Sequence, residues 1–309
     1  KGKERASLRY GSIMIMTDQN PDGSHIKGLL VNLFQHWWPA LYRSPGFLKV
    51  FSTPIVKVTK GPSVKQFFTL QEYHSWKEQS ADGKGWKIKY YKGLGTSTSA
   101  EAKDYFRKMQ KHSIDFEYKN KECTEAIDLA FSKKRADDRK RWINGCDDDA
   151  FVDYSKQKVT YNDFVNAELV HFAKYAVHRA VPSMVDGLKP TQRKVLFCAF
   201  KRKLQSDVKV AQFVGYVSEQ SAYHHGEASL ESTIVNLAQD FVGSNNVNFL
   251  VPSGQFGTRL LGGKDHASSR YIYTRLAPWT RSFFHPEDDQ VLNFLKEEGQ
   301  TIEPKHYVP

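Results

Sequence analysis

Four short stretches of the sequence combine residue types able to work on phosphates. Asp18-Gln19-Asn20-Pro21-Asp22-Gly23 presents oxygens at alternate positions directly after the apolar run Ser12-Ile13-Met14-Ile15-Met16. Such a set suits a hard divalent cation. The hexapeptide matches the start of a calcium-binding EF-hand loop, but Leu29 stands where that loop needs a bidentate Glu, so the helix–loop–helix reading fails. In a strand–loop–helix setting the same oxygens suit Mg²⁺, which takes one or two carboxylates and keeps waters for a phosphate ligand. The bland alternative is an ordinary Asx turn.

The second stretch is basic: Arg179, Lys189, Arg193, Lys194, Lys201, Arg202 and Lys203 face a single acid, Asp186. In a helix starting after Lys189-Pro190, Lys189, Arg193 and Lys194 share one side while Val195, Leu196 and Phe200 face a core. A helix–turn–helix docked on phosphates has this pattern, as does a merely solvated basic face. The third stretch, Ser269-Arg270-Tyr271-Ile272-Tyr273-Thr274, reads as a strand with both tyrosines on one face. A phenol ionises near pKa ~10, so a nucleophilic tyrosine needs a neighbouring cation or base, and Arg270 is the adjacent candidate. In the fourth, His224-His225-Gly226-Glu227, adjacent histidines do not converge as a zinc pair at i and i+4 would. They can instead donate to a phosphate or move a proton at a leaving oxygen.

The elements that must position these residues change character along the 309-residue chain, a length that accommodates two domains. Residues 11–120 alternate strand and helix. Ile26, Leu29, Leu30, Leu33, Phe34 and Trp37 recur at helical spacing and predict an apolar stripe against a sheet. Phe47 to Val58 reads as strand with a bend at Pro54, and Lys87 to Tyr91 as another. The turn Lys92-Gly93-Leu94-Gly95-Thr96-Ser97 then enters a helix near Ser99. Residues 113–155 are strongly charged, with the expected flexible break at Asn144 to Asp149. From Thr160 the periodicity is mostly helical, and residues 241–274 read as loops and hairpins. The expected division is therefore 1–112, a connector over 113–155, and 156–309.

Composition narrows the classes. Every apolar run is interrupted well short of the ~18 residues of a membrane span, so no membrane partner is expected. The first residues show no basic-then-apolar leader, so export gains no support. Cys123, Cys146 and Cys198 lack the paired spacing of a disulfide framework or zinc site, which favours a reducing compartment. Lys and Arg total 45 against 34 Asp and Glu, a net charge of +11 that favours a polyanionic partner.

Six segments, in order, resemble the motifs of the eukaryotic type IIA DNA topoisomerases: Ile13 to Asp18, Asp22 to Gly28, Tyr90 to Ser97, Pro182 to Pro190, Tyr223 to Glu227 and Arg270 to Ile272. The resemblance implies an α/β fold plus a mainly α one. The first would be the carboxyl-terminal part of a TOPRIM domain holding Mg²⁺ (Mn²⁺ or Ca²⁺ substituting), the second a CAP-like helix-turn-helix winged-helix domain. It implies that Tyr271 attacks a DNA phosphorus to form a 5′-phosphotyrosyl link, that Arg270 stabilises charge on the phosphate, and that Tyr273 is structural. Asp18, Asn20 and Asp22 would hold metal. Lys92, Arg179, Lys189, Arg193, Lys194 and His224 would grip double-stranded DNA, with His225 assisting the chemistry. A nuclear homodimer is implied, with ATP bound at a domain outside this chain. Asn20 replaces the family's middle Asp, Thr191 a usual Gly, and Ala228 a usual Gln where etoposide-like poisons contact the family. The family's upstream catalytic Glu is not in this sequence, and the stretch from Gly145 to Lys158 is shorter than its counterpart. Two rival readings are a DNA-binding scaffold whose metal site has decayed, and a helix–turn–helix regulator that reads base sequence.

Overall fold

The computed structural model describes residues 8–91, 93–297 and 300–308, and the chain divides into two compact units, 1–176 and 177–309. No helix among the described residues is long and apolar enough to cross a membrane.

The first unit is built on a four-stranded sheet of order β1-β2-β6-β7. Strand β1 (Ile13–Ile15) pairs parallel with β2 (Leu48–Phe51), β2 antiparallel with β6 (Ser113–Glu117), and β6 parallel with β7 (Lys158–Thr160). Helix α1 (Pro21–Trp37) follows β1. Beside this sheet lies a three-stranded antiparallel one of order β4-β3-β5, from β3 (Val56–Lys60), β4 (Ser63–Phe67) and β5 (Lys87–Tyr90). Its small core joins Val56, Val58, Phe67 and Tyr73, the last from α2 (Leu70–Gln79). Pro54 separates β2 from β3, as a residue without an N–H must in a ladder. Helix α3 (Ser99–Arg107) starts on a Thr98–Glu101 capping box.

Two expectations need correcting here. Residues 113–155 are no connector: β6 is a central strand, and Cys123, Ala126 and Ile127 of α4 (Lys121–Phe131) enter the core with Ile15, Val31 and Phe116. The charges of this stretch sit on exposed faces, notably of α5 (Ala136–Asn144), where Arg141 and Lys140 pair with Asp138 and Asp137. The division therefore falls after residue 176, because β7 completes the first sheet. The stripe on α1 holds only in part: Leu30 and Phe34 pack against the core, but the rest does not. Ile26, Leu29, Leu33 and Trp37 are exposed, and the buried residues are Gly23, Ser24, Lys27, Gly28 and Val31. The helix packs through small residues: a Cβ on Gly28 would lie 2.9 Å from Phe131 and 3.2 Å from Leu169. Lys27 is buried because Glu168 receives it, on a π-helical turn (Val165–Leu169) just before α6 (Val170–Ala180).

In the second unit, α7 (Pro190–Lys201), α8 (Val210–Gln220) and α9 (Glu227–Ala238) close on a core containing Val195, Phe213, Leu230, Ile234 and Ile272. Pro190 opens α7, as its position before the periodic run predicts. Two small ribbons accompany the helices, β8 (Val208–Lys209) with β9 (Tyr273–Thr274) and β10 (Phe294–Glu297) with β11 (Gln300–Pro304). Helices with a short β wing make a winged-helix arrangement. The stretch 241–272 is irregular, as its glycines predict, with no strand among its residues.

Candidate functional site

The acidic loop is shaped by close backbone approach. Asn20 caps α1, its Oδ1 accepting the Gly23 N–H at 2.7 Å, and Pro21 occupies the first turn. A Cβ on Gly23 would lie 1.8 Å from the Asp18 carbonyl oxygen, so only glycine lets the loop fold back on the helix start. The Asp18 carboxylate meets the second motif. Its Oδ1 accepts the Leu94 N–H at 2.7 Å, and a Cβ on Gly93 would stand 2.7 Å from that oxygen. Two motifs separate in sequence thus form one corner of the first unit. Lys92, expected on DNA, lies outside the described residues.

Sequence reading missed the residue that holds this corner. Glu101 accepts Lys89 at 2.8 Å, the Thr98 N–H at 2.9 Å, Tyr91 at 2.7 Å and Lys57 at 3.0 Å. Burial opposes its charge, but these four partners outweigh burial and hold the carboxyl well below its ordinary range. Tyr91 and Thr98 stand on either side of Leu94, so Glu101 ties both ends of the segment that presents Leu94 to Asp18. The capping box was the available signal: Thr98 and Glu101 stand three apart before a helix.

Lys27 and Glu168 back the loop from inside. Glu168 pairs with Lys27, accepts Ser24 Oγ at 2.5 Å and accepts the Tyr154 hydroxyl. Burial again opposes the carboxylate, yet Lys27 and the two hydroxyls lower its pKa.

These donors fit a hydrated Mg²⁺. Asp18 and Asp22 supply hard oxygens in the one-or-two-carboxylate set that Mg²⁺ takes, and Asp18 Oδ2 has no hydrogen bond among the described residues. Asn20 does not present its oxygen as expected, because the amide caps α1 instead.

In the second unit the backbone around Tyr271 is fastened on both sides. Val210 N–H donates to the Ile272 carbonyl at 3.0 Å, Ala211 N–H to that of Ser269 at 3.2 Å, and Tyr273 exchanges two bonds with Ser253. Ile272 is buried in the core, which turns Tyr271 outward at 69% exposure and Tyr273 at 38%. Both tyrosines are exposed, but not through strand alternation: Tyr271 lies in a turn, its N–H donating to the Ser268 carbonyl, and regular strand begins only at Tyr273. The Arg270 guanidinium lies over the Tyr271 ring, 5.7 Å from its centroid.

A cavity of about 530 Å³ in this unit is lined by Arg179, Lys189, Gln192, Tyr223 and His225. Arg179 Nη1 lies 3.3 Å from His225 Nε2, whose ring meets Tyr223 edge-on. Ala228 is exposed beside Ser229, which also lines the cavity. Two expected DNA contacts are engaged internally instead, and a third, His224, is paired at the surface. Arg193 is buried and bidentate on Asp186, with Nε–Oδ2 2.8 Å and Nη2–Oδ1 2.9 Å. Lys194 reaches Glu303 at 2.9 Å and the Ser221 carbonyl at 2.6 Å, and His224 pairs with Glu297. Helical spacing puts Arg193 and Lys194 on one side but cannot show that this side meets Asp186 and the 300–304 strand. Among the expected site residues the cavity gathers the grippers Arg179 and Lys189 together with His225, expected to assist the chemistry.

Comparison with known proteins matches both units. Residues 51–177 match the C-terminal associated domain of TOPRIM, and residues 179–309 match the DNA gyrase/topoisomerase IV A-subunit family, in agreement with the structural division. The chain is 55% identical over 303 residues to DNA topoisomerase 2 of Plasmodium falciparum, covering 98% of this chain and 22% of that protein. It is 54% identical over 315 residues to DNA topoisomerase 2-alpha of Homo sapiens, covering 98% of this chain and 20% of that one. The solved DNA-binding, cleavage and re-ligation domain of Plasmodium falciparum topoisomerase II superposes with a TM-score of 0.84 at 55% identity, covering 98% of this chain and 41% of that one. The chain thus spans about a fifth of the length of these curated relatives. With both units matched and more than half of its residues identical to these relatives, the chain belongs to the eukaryotic DNA topoisomerase II family.

Proposed function

We propose that this chain carries the DNA-cleaving and resealing chemistry of a topoisomerase II, with Tyr271 as nucleophile. The observation that carries the reading is the Tyr271 phenol, held outward by buried Ile272 and flanked by the Arg270 guanidinium. The phenol oxygen attacks a DNA phosphorus, the P–O3′ bond breaks, and the phenolic proton leaves as the 3′-oxygen gains one. The bond energy is kept in the 5′-phosphotyrosyl link, so reversal reseals the strand without a ligase cofactor. Arg270 stabilises charge on the phosphate, and Arg179, Lys189 and His225 position the backbone of double-stranded DNA. Asp18 and Asp22 hold Mg²⁺, which supplies Lewis-acid stabilisation of the leaving oxygen when bound.

The working assembly in this reading is a nuclear homodimer that makes two staggered nicks, with ATP at a domain outside this chain driving strand passage. Ala228 replaces a poison-contact residue of the family, beside the cavity. In the longest natural polypeptide carrying this sequence, Tyr271→Phe abolishes covalent DNA adducts and leaves DNA affinity within about threefold, since one hydroxyl is lost. Adducts that persist in this variant would place the nucleophile elsewhere.

A further inference from the structure

Outside the acidic loop, one cluster in the first unit has the donor set of a different metal. Cys146 follows α5, and His171 stands in the first turn of α6. Cys146 Sγ lies 3.9 Å from His171 Nδ1, and an Asp148 carboxylate oxygen joins them with all three donor atoms within 4.8 Å of one another. The imidazole is already oriented. His171 Nε2 is 2.7 Å from the Ala150 carbonyl, which can only accept, so Nε2 carries the hydrogen and Nδ1 turns a lone pair toward the thiol. Metal-bound histidines take this arrangement, with the second ring nitrogen donating to a carbonyl or carboxylate. Tetrahedral Zn–S and Zn–N bonds of ~2.3 and ~2.0 Å place sulfur and nitrogen about 3.5 Å apart, within a few tenths of an ångström of the spacing present.

We propose that Cys146, Asp148 and His171 bind a thiophilic divalent cation, Zn²⁺, with water in the fourth position. A thiol in the set selects against Mg²⁺ and Ca²⁺, which take oxygens. Binding releases the thiol proton to solvent. Lys174 stands 2.5 and 2.7 Å from the two Asp148 oxygens and competes for the same carboxylate, which has further lone pairs for the ion. The ion fastens the 145–150 segment, where the charge pattern predicts a flexible break, to the start of α6, next to the turn that carries Glu168. Cysteine spacing conceals the site because it holds one Cys, with the histidine 25 residues away.

The test is a Co²⁺ titration of the reduced, metal-stripped chain under anaerobic conditions. Thiolate ligation produces a sulfur-to-cobalt charge-transfer band in the near ultraviolet, and Zn²⁺ then displaces it at one equivalent. Oxygen ligation at Asp18 and Asp22 produces none, so the acidic loop cannot imitate the signal. The band is expected in the wild type, absent in Cys146→Ser, weakened at least about tenfold in affinity in His171→Gln, and tightened in Lys174→Gln. No band in the wild type overturns the proposal. So does an unchanged band in Cys146→Ser, which would assign the signal to Cys123 or Cys198, both buried.

Discussion

Asn20, where the family resemblance expects an Asp, shares that residue's capping ability but not its charge. Its amide oxygen caps α1, which either residue does well, so the loop retains its shape while losing a negative charge. Asn20→Asp is therefore expected to lower the Mg²⁺ concentration for half-maximal cleavage severalfold, with stability unchanged within about 0.5 kcal/mol. A metal titration of cleavage checks this, and an unchanged midpoint would remove position 20 from the metal's surroundings. At this scale the sequence shows residue types but not their partners. Asp18 is legible because it follows a strand directly into a helix start, whereas Tyr271 is exposed on a turn that the strand reading of 269–274 does not foresee. Arg193 and Lys194 are misread because their acids, Asp186 and Glu303, lie seven and 109 residues away and only tertiary packing brings them in.

Between elements, two carboxylates set the geometry of the acidic corner. Glu101 ties Tyr91 to Thr98 on either side of Leu94, and Glu101→Gln removes the charge facing Lys57 and Lys89. The expected result is a ~10–100-fold loss of cleavage with little change in DNA affinity, because displacing Leu94 moves Asp18 by a fraction of an ångström. Cleavage and binding measured on the same preparation separate this from general unfolding. Lys27 and Glu168 join α1 to the π-helical turn, and Lys27→Met leaves a buried carboxylate unpaired, costing roughly 3–5 kcal/mol. Lys27→Met with Glu168→Leu recovers most of that loss. Glu168 has a lower pKa folded than unfolded, so the unfolded chain binds the proton more readily. Its stabilisation is complete above the unfolded carboxyl range near ~4.3 and is lost as pH falls below it. Urea unfolding against pH is expected to show that acid loss in the wild type and less of it in the double variant. Periodicity located α1 and the Leu30 and Phe34 part of its packed face, but not Lys27 and Gly28, which are buried where the rule expects large apolar residues.

Across the whole chain, the two units have separate cores, and each carries one part of the proposed chemistry: the acidic corner in residues 1–176, the outward tyrosine and the basic cavity in 177–309. The internal pairs Arg193–Asp186 and Lys194–Glu303 cancel within the formal charge of +11, which leaves that excess to the rest of the chain. The order of fold types was legible from the change in periodicity. The boundary was not, because the charged stretch that resembles a linker supplies a central strand whose partners are remote in sequence. The proposed chemistry rests on the identity of one phosphorylated atom. Incubating the longest natural polypeptide carrying this sequence with labelled duplex DNA and Mg²⁺, denaturing it and mapping the labelled peptide is predicted to find a 5′-phosphate on the Tyr271 hydroxyl. A label on Tyr273 or any other residue, or no adduct with Mg²⁺, Mn²⁺ or Ca²⁺ while DNA binding and dimerisation persist, would contradict it.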